Sequence, residues 1–260
     1  MAYIKRYSTD LTDTQWLLLA PHIPKEKDGG RPRSVDVREI VNSLRYMSRT
    51  GCQWHLLPND FPPRSTVYDY FSRWRDDNTL DDICRILREN IRIKAGRTPK
   101  PSAAIIDSQT VKNASTCFDT GYDGGKRIKG RKRHIAVDVL GLLLVVIVHS
   151  AGIQDRAGSK LVLGELAKWF EIKRVWVDGG YTGPKLANWA LTVCRIIIEV
   201  VKRPVKKFKI VKWRWIVERT FGWINWHRRL SKDYEYSIES ATAWFQLAAI
   251  DGMVCRLRPG

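Results

Sequence analysis

The chain has few cysteines, and no two of them form a Cys-x-x-Cys pair. Its five cysteines are an odd number spread over 260 residues, which argues against a disulfide framework and against a zinc knuckle. Long apolar runs are also missing. The longest, Val139 to Val148, falls well short of the about 20 residues that a bilayer requires. The first residues lack the apolar core of a signal peptide, so we expect a protein of the cytoplasm.

Acidic residues are outnumbered, with 27 Asp and Glu against 45 Lys and Arg, and the formal net charge is +18. This excess implies a polyanionic partner, of which DNA is the natural candidate. The basic residues are spread along the chain and do not form one basic amphipathic helix, which disfavours a membrane surface as that partner. Hydrophobic residues make up 44% of the chain, enough for a folded core.

The chain consists of two regions that differ in their predicted secondary structure. Residues 1–99 predict helices, beginning with a capping box from Thr12 to Gln15, and are expected to form a helical DNA-binding or dimerising domain. The break at Gly96–Pro101 is the predicted linker. Residues 100–260 alternate strands with helices and end in a helix, which favours a mixed α/β sheet flanked by helices.

Three carboxylates stand where a two-metal phosphoryl-transfer site would need them. Asp107 ends the apolar run Ala103–Asp107, Asp178 ends the run Val175–Asp178, and Glu218 lies in a predicted amphipathic helix. In such a sheet the catalytic residues lie at the carboxyl ends of the strands, so the two aspartates are expected to lie close together. Mg²⁺ prefers oxygen ligands and takes one or two carboxylates per ion. We predict that Asp107 bridges two ions, with Asp178 on one and Glu218 on the other.

Each carboxylate also has a structural interpretation. A strand-end aspartate can cap a turn, and Glu218 can pair with Arg214 four residues earlier on a helix. The joint placement of three acidic groups in a basic chain favours catalysis. Two further aspartates compete with them. Asp138 is expected in a hairpin turn, whereas Asp155 follows a predicted strand and could approach the site.

Two basic stretches predict contacts with DNA. The first has six basic residues within eight positions, namely Lys126, Arg127, Lys129, Arg131, Lys132 and Arg133. We favour phosphate contact near the site over a solvated charge run or a localisation signal. The second, residues 202–229, interleaves ten Lys and Arg with four tryptophans, a pattern that suits phosphate contact and base stacking, while part of it must be core. Its candidates, with one residue beyond it, are Arg214, Arg219, Arg228, Arg229 and Lys232.

The helical region contains a further candidate for DNA binding. Helices predicted at Val37–Arg49 and Ser65–Arg75 could form a helix-turn-helix, with Arg64 and Arg73 at the DNA. Their connection, residues 50–64, is far longer than the usual turn of about three or four residues. A structural or dimerising role for these helices is therefore an open alternative.

The motifs that contain these residues resemble the DDE transposases of bacterial insertion sequences, in the group called insertion-sequence family five. The matching strings are Ile106–Lys112, Lys129–Asp138, Val177–Gly183 and Arg214–Phe221, with Arg228–Glu235 near the end and Thr50–Trp54 upstream. The resemblance thus covers most of the chain, and its motifs are specific in combination. It implies a ribonuclease H-like catalytic domain over residues 100–260.

The resemblance also implies a reaction. Asp107, Asp178 and Glu218 match the catalytic triad of the family, which holds two divalent ions, expected to be Mg²⁺ with Mn²⁺ as a substitute. The implied enzyme cleaves DNA at the terminal inverted repeats of the element and joins the freed 3′-hydroxyl ends to target DNA. Its implied partners are double-stranded DNA and a second copy of the chain, as a homodimer on DNA. Its implied location is the bacterial cytoplasm, associated with the nucleoid.

One signature of related transposases, Tyr-Arg-Glu-Lys, matches only in part. Arg214 fills the arginine position, four residues before the glutamate. Val211 stands at the tyrosine position and Asn225 at the lysine position, seven residues after Glu218. A basic residue at 228, 229 or 232 is expected to replace the lysine. The contacts with the DNA end are therefore expected to differ from those of the relatives.

Two other functions stay open from the sequence. A related nuclease would cut DNA without joining it, and would give no strand-transfer product. A domesticated or inactive DNA-binding protein would bind DNA without cutting it, although a pure binding protein would have no use for three carboxylates facing phosphates.

Overall fold

The structure is a computed structural model that describes residues 5–26, 33–201 and 213–257. The α-helices of these residues are α1 (Asp13–Leu19), α2 (Val37–Thr50), α3 (Arg64–Asp76), α4 (Thr79–Lys94), α5 (Asp155–Trp169), α6 (Pro184–Trp189), α7 (Arg214–Ile224) and α8 (Ile238–Leu257). The strands are β1 (Ala103–Lys112), β2 (Gly121–Asp123), β3 (Ile128–Val137), β4 (Leu143–Ser150), β5 (Arg174–Val177) and β6 (Ile197–Val200). The predicted basic residues at 202–212 lie outside the described residues, and so does Val211, which stands at the tyrosine position of the signature.

Local signals explain where the first helices begin and end. Thr12 Oγ1 accepts a hydrogen bond from Gln15 N, and Gln15 Oε1 accepts one from Thr12 N, so the predicted capping box starts α1. Asp36 caps α2 by accepting a hydrogen bond from Arg38 N. Gly51 ends α2 in the left-handed region, at a φ of 73°, where a residue without Cβ is favoured.

The strands form one mixed sheet. Its order is β2-β3-β1-β5-β6, and β4 also pairs with β3. β3 runs antiparallel to β1 and β4, whereas β1, β5 and β6 run parallel. Parallel strands need crossover connections, which α5 and α6 supply here. This arrangement confirms the predicted mixed α/β sheet flanked by helices and preceded by a helical region.

Asp138 closes the turn between β3 and β4, as its position in the sequence predicts. Its Oδ1 accepts hydrogen bonds from Leu140 N and Leu142 N, both at 2.9 Å. Its other oxygen pairs with Arg92 of α4, and both side chains are buried. Asp138 is therefore structural, because its carboxylate ties the hairpin to the N-terminal helices.

Successive residues of β1 face two different cores. Ile105 packs in a core with α7, α8 and the N-terminal helices, whereas Ala104 and Ile106 pack in a second core with α5 and α6. Because strand residues alternate between faces, Asp107 shares the face of Ile105, and Ser108 shares the face of Ile106. The sheet thus directs Asp107 toward α7 and Ser108 toward α5.

The prediction that two aspartates end two strands is only half right. β1 continues past Asp107, because residues 107–112 stay paired with residues 130–135 of β3. The parallel neighbour β5 does stop at Val177, directly before Asp178. Asp107 therefore lies inside a strand, at the point where the strand beside it ends.

The C-terminal helix α8 packs against all four N-terminal helices as well as α7 and β4. It shares one apolar core with them. A domain boundary between residues 99 and 100 stays a prediction. Within residues 5–26, 33–201 and 213–257, no helix is both long and apolar enough to cross a membrane.

Candidate active site

Asp107 and Asp178 are neighbours across the parallel strands β1 and β5. Ile105 pairs with Trp176 in the register of these strands, and each aspartate follows its paired residue by two positions. Asp107 Oδ1 accepts a hydrogen bond from Ser108 N at 2.7 Å. Asp178 Oδ1 caps the short helical turn that follows β5. The register therefore brings the two carboxylates to the same place beside the sheet.

The surroundings of Asp107 disfavour its charged form. Burial raises the pKa of the Asp107 carboxyl to about 6, and the negative charge of Asp178 adds to that rise. The hydrogen bond from Ser108 N and the charges of Lys126 and Arg214 act in the opposite direction. A cation between the two aspartates would relieve both burial and repulsion, because it favours their charged forms. The pair thus fits a divalent ion that prefers oxygen ligands.

Glu218 lies on α7, which packs against β1, yet the structure does not bring it into one cluster with the aspartates. Its carboxylate accepts a hydrogen bond from Arg214 at 3.1 Å, and 51% of its side chain is exposed. Among the residues that the structure describes, no set of three or more His, Cys, Asp and Glu is placed to hold a metal ion. Of the three predicted ligands, the structure therefore brings two together, Asp107 and Asp178, whereas Glu218 is paired with Arg214. Arg214 contacts only Oε1 of the Glu218 carboxylate.

The end of α7 is attached to β1 beside the aspartate pair. Gln109 Nε2 donates a hydrogen bond to Asn225 Oδ1 at 3.3 Å. Gln109 follows Asp107 by two positions and therefore lies on the same face of β1. Asn225, at the lysine position of the signature, thus helps to dock α7 against the strand of Asp107.

Three of the six basic residues in the first stretch are buried in β3. Arg131, Lys132 and Arg133 are 0%, 3% and 1% exposed. Arg131 donates to four backbone carbonyls, and Arg133 donates to the carbonyl of Leu230 at 2.6 Å. The prediction that these three residues contact DNA is wrong, because β3 lies inside the sheet with both faces covered.

Lys132 belongs to a polar network on the α5 side of the sheet. Its Nζ lies 2.9 Å from Asp155 Oδ1 and 3.4 Å from Asp123 Oδ2. Ser108 Oγ donates a hydrogen bond to the same oxygen of Asp155 at 3.0 Å. Thr110 Oγ1 donates to Asp123 at 2.6 Å. The network therefore connects β1, β3 and the start of α5 directly behind the aspartate pair.

This network sets the charge of its two carboxylates. Burial acts to raise the pKa of Asp123, but hydrogen bonds from Thr110 and Lys126 N, together with the charge of Lys132, lower it to about 2. Burial also acts to raise the pKa of Asp155, and Lys132 outweighs it, so that this pKa is lowered too. Asp155 is thus a charged partner of Lys132, and a role for it in the reaction stays a prediction.

His134, His149 and Tyr181 complete this polar layer, and the sequence reasoning missed them. His134 Nδ1 and His149 Nε2 are 2.8 Å apart, and the ring of Tyr181 meets His134 edge-on. Burial lowers the pKa of His134 to about 3 and raises that of Tyr181, so both are neutral. Gly158 lets α5 approach, because a Cβ there would lie 2.5 Å from the His134 ring. No local pattern singles them out, because residues 107–110 of β1 and 131–134 of β3 are polar without a break.

The remaining predicted DNA-binding residues differ in exposure. The exposed ones are Lys126, Arg127, Lys129, Arg64, Arg73 and Arg228, and Lys232 is partly exposed. Arg229 is buried over the ring of Trp244 and pairs with Glu235 at 2.7 Å. The prediction that Arg229 contacts DNA is wrong, because its guanidinium group is enclosed by the protein.

One face of α7 alternates aromatic and basic side chains. The guanidinium of Arg219 lies between Trp215 and Trp223, 4.2 and 4.4 Å from their ring centroids. These tryptophans are 40% and 42% exposed, and Trp226 after the helix is 75% exposed. This surface is open to a ligand, and its contact with DNA stays a prediction.

Comparisons with known proteins agree with this arrangement. A family model described as "Transposase DDE domain" matches residues 98–250, and a model for transposases of the IS4/5 family (DUF4096) matches residues 11–84. The first match implies a ribonuclease H-like fold for the sheet and its helices.

Individual relatives cover the chain less completely. The chain is 32% identical over 85 residues to a Pol polyprotein of equine infectious anemia virus (isolate 1369), covering 32% of this chain and 7% of that protein. It is 27% identical over 77 residues to the uncharacterized protein y4sN of Sinorhizobium fredii, covering 30% of this chain and 62% of that protein. The chain thus spans less than two thirds of either relative. The Drosophila P element transposase strand transfer complex has a TM-score of 0.34 and 14% identity, over 74% of this chain and 45% of that one.

Proposed function

Because this chain belongs to the transposase DDE domain family, we propose that it is the DNA transposase of an insertion sequence. In this proposal it binds the terminal inverted repeats of the element and cleaves the ends by hydrolysis of phosphodiester bonds. It then joins the freed 3′-hydroxyl ends to target DNA. The observation that supports this proposal most strongly is the pairing of Asp107, within β1, with Asp178, directly after the parallel strand β5; each follows the paired residues Ile105 and Trp176 by two positions.

DDE domains generally use divalent metal ions, and the proposal assigns two Mg²⁺ ions, replaceable by Mn²⁺, to Asp107, Asp178 and Glu218. When bound, such ions supply Lewis acidity to the attacking water and to the leaving oxygen. Asp107 would be a ligand of both ions, because burial and the charge of Asp178 make its own charge unfavourable without a cation. Asp178 would hold one ion and Glu218 the other.

In this proposal Glu218 leaves Arg214 when it becomes a ligand. An ion pair between residues four apart on a helix contributes only about 0.3–0.5 kcal/mol at an exposed position, and Glu218, 51% exposed, can be hydrated when it moves, so little opposes this movement. Arg214 is then free to pair with a DNA phosphate. We propose that this exchange of partners couples DNA binding to assembly of the metal site.

Exposed cations beside the aspartate pair support DNA as the substrate. Lys126 Nζ donates a hydrogen bond to the carbonyl of Ser108, the residue next to Asp107. Arg127 and Lys129 are exposed on the same hairpin. In a chain with a net charge of +18, these groups suit the phosphates on either side of the cleaved bond. The exposed Arg228, the partly exposed Lys232 and Arg219 on α7 extend this proposed DNA surface.

Other parts of the proposal concern assembly. Cutting and joining two ends needs two active sites, so we propose a homodimer on DNA, associated with the nucleoid of a bacterial cytoplasm. Arg64 and Arg73 are exposed on α3 and are proposed to contact DNA from residues 1–99. The region 1–99 thus serves DNA binding or dimerisation, and residues 100–260 serve catalysis.

The proposal is tested by incubating the purified protein and Mg²⁺ with labelled DNA that contains its gene and flanking sequence. Discrete cuts at flanking inverted repeats and joined products are expected from the wild type. Asp107→Asn, Asp178→Asn and Glu218→Gln should each abolish both. Asp119→Asn is the matched control, because Asp119 is exposed and its backbone conformation also suits asparagine.

The alternatives give different results in the same experiment. Cuts without joined products would identify a nuclease. DNA binding without any cut would identify a DNA-binding protein that lacks catalysis. Equal cleavage by wild type and Glu218→Gln would contradict the assigned metal ligands.

A further inference from the structure

Phe118 and Tyr236 form an exposed aromatic pair that the proposed chemistry does not use. Their side chains are 68% and 70% exposed. The two rings are roughly parallel, with centroids 6.2 Å apart and an angle of 27° between their planes. Exposed apolar surface of this kind is unfavourable in water, and adjacent exposed rings often indicate a binding surface.

A buried arginine fixes the two loops that present these rings. Arg131 donates from Nε to the carbonyl of Phe118 at 3.1 Å, and from its Nη groups to the carbonyls of Glu235 and Tyr236 at 2.9 and 2.7 Å. Phe118 N donates to the carbonyl of Tyr236 at 3.0 Å. Asp233 also pairs with Arg131. The backbones under both rings are therefore bound to one another through a guanidinium group that is fully buried.

The same loops are hydrogen-bonded to the end of β1, the strand that contains Asp107. Asp233 N donates to the carbonyl of Lys112, the last residue of β1, and Ala114 N donates to the carbonyl of Asp233, both at 2.8 Å. Two loops that are held at both the strand and the arginine cannot easily draw their rings back into the protein. The aromatic pair is thus displayed in a fixed position.

The aromatic pair lies on the face of the sheet that contains Asp107. Arg131 pairs with Val111 across β1 and β3, and Val111 follows Asp107 by four positions. Residues four apart in a strand share a face and are separated by about 13 Å. A DNA strand that passes Asp107 along β1 would therefore reach Phe118 and Tyr236 within a few nucleotides.

Positive charge accompanies the rings. Lys129 is exposed two residues before Arg131 on β3 and therefore shares its face of the sheet. Lys126 and Arg127 are exposed in the turn before that strand. Lys232 lies 5.8 Å from the ring of Tyr234, two residues before Tyr236, and Tyr234 is itself half exposed. Asp119 is an exposed carboxylate in the first loop, but the cations outnumber it. Surfaces that combine aromatic rings with basic side chains bind unpaired nucleotides, because every base has a face that can stack on a ring and the cations attract the phosphates.

We propose that Phe118 and Tyr236 form a stacking platform for unpaired DNA bases a few nucleotides from the phosphodiester that is cut. This proposal rests on the proposed function, because it assumes that DNA lies at Asp107. Bases inside a duplex are already stacked on one another, so the platform distinguishes unpaired from paired DNA. It gives the site a preference for DNA whose strands have separated near the cut.

The test compares binding of labelled oligothymidine with binding of a labelled duplex of equal length, by fluorescence anisotropy. The double variant Phe118→Leu with Tyr236→Leu keeps apolar side chains and removes both aromatic faces. It should weaken oligothymidine binding by about tenfold or more, with a much smaller effect on the duplex. Tyr236→Phe keeps the ring and should bind like the wild type. Trp169→Leu, which removes a 67% exposed ring from α5, is the matched control.

The midpoint temperature of thermal unfolding is measured for each variant. A midpoint close to that of the wild type verifies that the fold is retained. Unchanged oligothymidine binding by the double leucine variant would overturn the platform, as would an equal loss of affinity for duplex and oligothymidine. An equal loss in Trp169→Leu would also overturn it. If the wild type cuts its flanking DNA in Mg²⁺ while the double variant binds oligothymidine normally, only the platform fails. If the wild type binds no DNA, both the platform and the proposed function fail.

Discussion

The two halves of the basic stretch Lys126–Arg133 are similar in composition and opposite in environment. In the first half, Lys126, Arg127 and Lys129 are exposed on a hairpin. In the second half, three consecutive cations, residues 131–133, are almost completely buried in β3. A run of charge in a sequence therefore does not by itself identify a surface that binds DNA.

The buried half shows what a cation needs inside a protein. Arg131 is surrounded by four carbonyls and Asp233, and Lys132 lies between two carboxylates. A buried charge is tolerated only with such partners, because its loss of hydration is otherwise very unfavourable. The exposed half needs no partner from the protein, so its charge is available to a ligand. The predictions below separate the two halves by their effects on stability and on DNA binding.

The largest effect is expected from Arg131→Met, which removes the guanidinium and leaves buried carbonyls and Asp233 without a donor. The free energy of unfolding should fall by about 3–5 kcal/mol, measured by urea denaturation. Lys129→Met, two residues earlier and exposed, is the control and should change it by no more than about 0.5 kcal/mol. Equal stability of the two variants would contradict a structural role for Arg131.

A smaller loss is expected from Lys132→Met, about 2–3 kcal/mol, because Asp155 is partly exposed and can be hydrated when its partner is lost. Adding Asp155→Asn should restore part of this loss, with a coupling energy of about 1–2 kcal/mol in a double-mutant cycle. Strictly additive effects of the two substitutions would show that the pair does not stabilise the fold.

The same network predicts a dependence of stability on pH. The pKa of Asp123 is lowered to about 2 in the folded protein, so its contribution is present above the unfolded value near 3.8 and is lost as the pH falls toward 2. The stability difference between wild type and Lys132→Met should therefore shrink as the pH falls from 5 to 2. A difference that is constant over this range would contradict the ion pair.

The smallest effect on stability is expected in the exposed half. Lys126→Ala and Lys129→Ala should each change the free energy of unfolding by less than about 0.5 kcal/mol. Each should weaken DNA binding and reduce the slope of log affinity against log salt by about one, if the lysine contacts a phosphate. Lys168→Ala, exposed on α5, is the control. An unchanged salt slope in both lysine variants would remove the hairpin from the DNA surface.

Much of the fold could be predicted, because its signals are local. The Thr12–Gln15 capping box, the alternation of strands and helices and the turn at Asp138 depend on residues close in sequence. The extension of β1 past Asp107 was missed, because its residues 108–110 are polar and lack the apolar pattern of a strand. They belong to β1 only because β3 pairs with them.

The candidate site could be predicted in part, for a related reason. Asp107 and Asp178 follow apolar runs, and the strand register brings them together. The position of Glu218 depends on the rotation of α7 and on Arg214, which no local pattern specifies. The burial of Arg131 and Arg133 likewise depends on the loop at residues 228–237, which lies about a hundred residues later in the chain.

The most direct test of the central claim is a crystal structure of the protein with DNA from the element end and Mn²⁺, with the ions located by their anomalous scattering. We expect Mn²⁺ bound by Asp107, with Asp178 on one ion and Glu218, released from Arg214, on the other. Mn²⁺ and the DNA phosphate bound away from Asp107, with Glu218 still paired to Arg214, would contradict the account.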